Sequence, residues 1–174
     1  DHFSGLLPLF PLPKVVLFPG ARLPLHVFEP RYREMVADTE QGEGLIGIAC
    51  LRERQDGGPT SPSSIFPTIF LGQMRNLQRL PDGRFLMQMV GLQRAQIREE
   101  LDVNKPYRMA LVELCPDLVD PFNPQPVSQL FEQTLEGFNT MLRNLADLPG
   151  SLLIIQKNVP YGLLMDVLAY YLPV

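Results

Sequence analysis

Proline and glycine punctuation constrains this chain more than any other feature. The 174 residues include 18 prolines and 13 glycines, spaced through the first two thirds too closely for long helices. Short strands joined by turns are what such spacing permits. Lys14–Phe18 reads as a short buried strand closed by a Pro19-Gly20 turn, and Leu23, Leu25 and Val27 then alternate with Arg22, Pro24 and His26 at strand period. Pro24 has no N–H to give a ladder, which places that run at an edge or a bulge. Pro30 suits the first turn of a helix carrying Tyr32, Met35, Val36 and Thr39 on one face, ended by Gly42 and Gly44. Leu45–Leu51 is an almost continuous apolar run, as expected of a strand covered on both sides, and Arg52–Ser64 reads as a mobile loop. A strand from Ile69 to about Leu80 turns at Pro81-Asp82-Gly83 and returns as Phe85–Val90, with Gly91 a bend or bulge before Leu92–Arg98. Tyr107–Leu114 makes a last strand with Met109 and Leu111 on one face. Six or so short strands are the count of a small closed barrel.

Cys115–Pro126 holds four prolines and reads as a linker. Beyond it, Val127, Leu130, Phe131, Thr134, Phe138, Met141, Leu142 and Leu145 recur at helical spacing, and Leu164, Val167, Leu168 and Tyr171 form a second stripe. The expected organisation is a β-barrel over 1–116, a linker over 117–126 and a helical subdomain over 127–174. The fold class is α+β. Because the chain opens on Asp1 and breaks off just after an apolar helical pattern, the native protein is expected to run further.

Charge and side-chain chemistry narrow the function classes. With 15 basic against 19 acidic residues the net charge is −4, which argues against a protein whose main task is to neutralise phosphates. Cys50 and Cys115 form no CxxC or Cys/His spacing, so a metal site is not expected and a reducing, cytoplasmic setting is. No run approaches the ~18 apolar residues of a membrane helix, and no signal peptide opens the chain. A nucleophile needs a base within reach, yet outside the first residues the sole histidine is His26. Its pairing with Cys50 is a poor candidate, because a thiol in an apolar strand is inert. Glu99-Glu100 and Asp117/Asp120 read as solvated acids. Neither Gly-x-x-x-x-Gly-Lys-Ser/Thr nor a Gly-x-Gly-x-x-Gly after a strand occurs, so no catalytic residue and no cofactor is expected.

Four separated blocks carry a family resemblance. Leu7-Pro8-Leu9-Phe10-Pro11-Leu12, then Val16–Gly20, then Leu23-Pro24-Leu25-His26-Val27-Phe28-Glu29-Pro30-Arg31-Tyr32 resemble the opening of the Lon protease amino-terminal (substrate-binding) domain family, closest to its stand-alone bacterial members. Gly72 with Leu80–Phe85, then Gly91-Leu92-Gln93-Arg94-Ala95, resemble the family's hairpin and its Gly-x-x-Arg strand, and Gly162–Ala169, with Asp166, its late helix. The resemblance implies a PUA-like pseudo-barrel of about six strands followed by a carboxy-terminal helical bundle. It also implies recognition without proteolysis, since the ATPase and Ser-Lys protease modules of full-length Lon proteases lie outside such a domain.

The matching residues Pro19, Gly20, Pro24, Phe28, Glu29, Pro30, Arg31, Tyr32, Gly72, Gly91, Arg94 and Asp166 read first as structural. Pro19-Gly20 is a turn, Phe28-Glu29-Pro30 a strand exit into a helix, and Gly91 a bulge. Arg31 either pairs with Glu29 or Glu34 on the helix surface or anchors the helix by a bidentate bond. Arg94 carries the same pair of readings. Three functions remain in view. The leading one is a protein-interaction module that takes unfolded or exposed polypeptide segments on an apolar surface or strand edge, with methionines able to repack around varied partners, although for Met87 and Met89 a place in the core is favoured over such a face. The second is an RNA-binding barrel using Arg75, Arg79, Arg84, Arg94, Arg98 and Arg108, a reading that pairing with carboxylates would sink. The third is a homodimer, or a docked partner, through the carboxy-terminal helices.

Overall fold

The computed structural model describes residues 3–52, 64–116, 129–130, 132–137, 140 and 166. The chain divides into two compact units, Asp1–Pro116 and Asp117–Val174. Unit one contains β1 (Leu6–Pro13), β2 (Arg22–Val27), α1 (Pro30–Glu40), β3 (Leu45–Leu51), β4 (Ile65–Arg79), β5 (Phe85–Leu101) and β6 (Arg108–Cys115). In the second unit the described residues 129–130, 132–137, 140 and 166 are helical. The expected bundle, its dimer face and the linker otherwise lie outside the described residues, as do residues 53–63 of the loop read as mobile.

β1 pairs in parallel with β3 and antiparallel with β6, β4 pairs with β3 and β5, and β5 pairs in turn with β6. Those five pairings close a ring. β2 stands outside it, hydrogen-bonded to the first half of β5 alone, which is the edge position that Pro24 requires.

Two apolar clusters follow from alternation along the strands. Leu7, Leu9, Ala49, Ile69, Leu71, Ala95, Ala110 and Val112 fill the ring. Phe10, Ile46 and Ile48 point the other way, into a second core with Val27, Tyr32, Met35, Val36, Phe85, Met87 and Met89. β3 is thus covered on both faces, as its unbroken apolar run requires. A bulge serves both cores from β5. Gly72 stands opposite Gly91 and Leu71 opposite Gln93, so Leu92 has no partner on β4. One extra residue lets odd-numbered side chains face α1 up to Met89 and the ring interior from Ala95 onward.

Three expectations change. Lys14–Phe18 is not a strand: Lys14 turns the chain with φ 54, and Leu17 drops into the core beneath α1. The first strand is instead Leu6–Pro13, which its prolines disguise. β4 and β5 are long rather than short, at 15 and 17 residues, because each spans both cores. On β6 it is Ala110 and Val112 that are buried, whereas Leu111 is exposed. Met87 and Met89 fill the core, as strand alternation favours, and Met35 joins them there.

α1 follows its sequence signals. Pro30 occupies the first turn, the Glu29 carbonyl accepts from the Arg33 N–H at 2.9 Å, and Tyr32, Met35 and Val36 are the buried stripe. Its outer face is tied down at Asp38, whose carboxylate accepts from Lys105 Nζ at 2.7 Å and the Tyr107 hydroxyl at 2.6 Å.

Candidate binding groove

The residues that carry the resemblance gather at two places. At the first, Phe18–Ala21 crosses over β5. The Ala21 N–H donates to Phe18 at 3.0 Å, the Gly20 N–H donates to the Gly91 carbonyl at 2.8 Å, and the Gly91 N–H returns to Ala21 at 2.9 Å. Gly20 turns with φ 76, and Leu17 beneath it touches the positions where Gly72 and Gly91 would carry a Cβ. A side chain on Gly91 would overlap the Phe18 carbonyl oxygen and come within 2.8 Å of its carbon. Pro19, Gly20, Gly72 and Gly91 therefore seat one crossing, and glycine is needed there for room.

The second place is a groove. β6 pairs with β1 only from Leu6 to Leu9, so Phe10–Pro13 have β3 on one side and no strand partner on the other among the described residues. Along that open side lies a half-enclosed groove of about 430 Å³, floored by Phe10, Pro11, Leu12 and Pro13 and walled by Glu29, Arg31, Tyr32, Pro106, Tyr107 and Arg108. Pro11 and Pro13 have no N–H, so this edge is a weak template for an added strand. Side-chain contacts must dominate whatever enters it.

Tyr32 is the groove's central group. Its ring lies against Phe10, centroids 4.4 Å apart, and the Arg31 guanidinium sits 4.4 Å from its centroid. Burial pushes the phenol above its ordinary range, with the nearby Arg31 charge working in the other direction. Arg31 pairs with Glu29: one carboxylate oxygen accepts from Nε at 3.0 Å and lies 2.8 Å from Nη2. Arg108 engages Glu100 through Nε at 2.7 Å and Nη2 at 2.5 Å. Of the two readings of Arg31, the surface pair with Glu29 holds, and its stacking on Tyr32 was not visible in the sequence.

Phe28, by contrast, is 60% exposed, with the His26 ring edge-on to it at 6.0 Å between centroids. Pro24 is exposed on β2. Arg94 stands on β5 opposite Phe70 and Cys115. Asp166 is helical and 3% exposed, in the second unit. Of the arginines considered for RNA, Arg79 pairs with Glu40, Arg84 with Asp82, Arg98 with Glu113 and Arg108 with Glu100, while Arg75 donates to the Gln73 amide. His26 and Cys50 lie on β2 and β3, which β5 and β4 separate in the sheet. Among the described residues no group of three or more His, Cys, Asp or Glu could hold a metal ion, and no helix is long and apolar enough to cross a membrane.

Fold and groove together define a class: a small ring-closed β-barrel with a half-enclosed cleft at a strand edge. The chain belongs to the ATP-dependent protease La (LON) substrate-binding domain family, whose model matches residues 6–174. It is 30% identical over 165 residues to a Lon protease of Roseiflexus castenholzii and 29% identical over 166 to one of Dictyoglomus thermophilum, covering 94% and 95% of this chain. In each case it spans 20% of the relative's length. The N-terminal domain of the Mycobacterium avium complex Lon protease superposes with a TM-score of 0.65 at 14% identity, covering 95% of this chain and 82% of that one. The Lon N-terminal domain protein from Xanthomonas campestris gives 0.53 at 23% identity, over 97% and 99%. At those identities the two structures speak for the fold.

Proposed function

We propose that this domain is a non-catalytic recognition module that holds extended or exposed segments of other polypeptides in the groove between Pro11–Pro13 and the start of α1. The observation that carries this reading is the groove itself, where Glu29, Arg31 and Tyr32 converge with an apolar strand edge that no strand covers among the described residues. Membership of a substrate-binding family supports a recognition role. The half-enclosed shape fits a flexible chain better than a small rigid ligand, because a segment can run along the cleft and leave at either end. A proline floor limits main-chain pairing, so affinity would come from apolar burial and a few polar contacts.

Ion pairing weighs against the RNA alternative. Four of the arginines that could form a basic stripe are already matched by carboxylates, which leaves little net charge to release counterions. The test is a pair of fluorescence titrations, one with a permanently unfolded labelled polypeptide and one with single-stranded RNA, each at low and high salt. Polypeptide binding that survives salt, and that Leu12→Glu weakens about tenfold at a temperature where the variant is still folded, is expected. Salt-sensitive RNA binding with no polypeptide binding would overturn the reading, and so would a Leu12→Glu protein that binds polypeptide like the parent.

A further inference from the structure

Tyr32 is 6% exposed, yet its hydroxyl makes none of the hydrogen bonds found among the described residues, and it borders the groove. Its oxygen keeps contact with solvent, so the O–H is bonded to water until a partner replaces it. Beside it, Arg31 spends Nε and Nη2 on a single oxygen of Glu29, so its Nη1 side has no partner among the described residues. The positive charge of Arg108 also reaches the phenol. Facing these donors is an apolar floor of Phe10, Pro11, Leu12 and Pro13.

We propose that the groove selects segments in which a carboxylate neighbours an apolar side chain, the carboxylate accepting from the Tyr32 hydroxyl and the Arg31 guanidinium while the apolar group covers the Pro11–Pro13 floor. This rests on the polypeptide-recognition reading above and adds the chemistry of the occupant. A carboxylate oxygen accepts from a hydroxyl and a guanidinium together, which a backbone carbonyl does less strongly because it carries no charge. The raised phenol keeps its proton, so Tyr32 is a donor throughout the neutral range. Glu29 does not block the site. Its pair with Arg31 is about half exposed on both sides and exchanges partners at little cost, and the guanidinium lies 4.4 Å from the ring centroid. A lysine-bearing segment offers the Tyr32 and Arg31 donors no acceptor and sets a second cation beside Arg31, so it is disfavoured.

The experiment uses short fluorescent peptides of one apolar sequence in four forms: neutral with an amidated end, with an internal Glu and amidated end, neutral with a free carboxylate end, and with an internal Lys. Carboxylate-bearing forms are expected to bind about tenfold tighter than the neutral amide, and the Lys form weakest. Which of the two carboxylate forms gains tells a side-chain from a chain-end source. Tyr32→Phe keeps the ring and Arg31→Gln keeps the stem; in each, the ratio of carboxylate-form to neutral-form affinity, measured on that same variant, should fall to within about twofold. Neutral and acidic forms that bind alike would overturn the carboxylate proposal and leave polypeptide recognition standing. If none of the four binds, both readings fall. An acidic preference that both variants retain would place the selective group elsewhere and also overturn the proposal.

Discussion

The two cores on either side of β1 and β3 are built from different residues. Inside the ring, Ala49, Ala95, Ala110 and Gly47 stand among Leu7, Leu9 and Ile69, and small side chains let five strands close at short range. Under α1 the residues are large and adaptable: Phe10, Tyr32, Met35, Phe85, Met87, Met89 and Tyr107. Closure sets the first composition, because a narrow barrel tapers and accepts only limited volume. The second core seats a helix and a crossing loop of irregular shape, which unbranched and aromatic side chains fill. The groove opens from this second core, whose Phe10, Tyr32 and Tyr107 reach its lining. Strand pairing closes the ring all round, and the groove proposed for recognition lies on its outer side.

Substitutions at the boundary should break this division most severely. Gly91→Val would drive a side chain into the Phe18 main chain, where no rotamer offers escape, and is expected to cost more than about 4 kcal/mol or to abolish folding, read by urea denaturation. Next comes Leu9→Ala in the ring, with an expected loss of about 2–5 kcal/mol because a closed ring cannot collapse onto the hole. Gly47→Ala presses instead on the Ile69 Cδ1 and Leu9 Cδ2 atoms, at 2.8 and 3.0 Å, and should cost about 1–3 kcal/mol. In the outer core, Met89→Leu should cost less than about 1.5 kcal/mol; a larger loss than Gly47→Ala would remove the contrast between the two cores.

The smallest expected effect is at the clasp between α1 and the chain entering β6. Tyr107→Phe deletes one hydrogen bond to Asp38 and should cost about 1 kcal/mol near neutral pH. Hydrogen bonds from Lys105 and then Tyr107 hold the Asp38 carboxyl below its ordinary value, while burial and the Asp38 bond push the Tyr107 phenol up. A depressed carboxyl contributes stability that is fully present above its unfolded value of about 3.9 and is lost as pH falls through the folded one. The melting-temperature difference between parent and Tyr107→Phe should therefore shrink in acid. A difference that is flat across that range would mean the clasp contributes through packing alone.

Much of this was legible along the chain, and the failures have causes. Alternation exposed β2, Pro30 and the stripe of Tyr32, Met35 and Val36 announced α1, and Pro81-Asp82-Gly83 marked the β4–β5 hairpin. β1 escaped because Pro8, Pro11 and Pro13 read as breakers. In the fold, Pro11 and Pro13 lie past the last pairing with β6, where no ladder bond to β6 is lost. Lys14–Phe18 was mistaken for a strand because an apolar run buried by a crossing loop has the same local pattern. Glu29, Arg31 and Tyr32 were marked by resemblance alone, and nothing local says that Pro11, Tyr107 and Arg108 would meet them.

Sequence by itself determined the β-rich architecture, the place of α1, the restriction of β2 to an edge or a bulge and the family, because turn chemistry, periodicity and motif order are local properties. Only the tertiary structure decided that the ring closes between β1 and β6, that one unpaired residue at Leu92 divides two cores, and that a groove opens where β6 stops covering β1. Those features depend on register between distant segments, and a register is chosen by the packing of both partners at once.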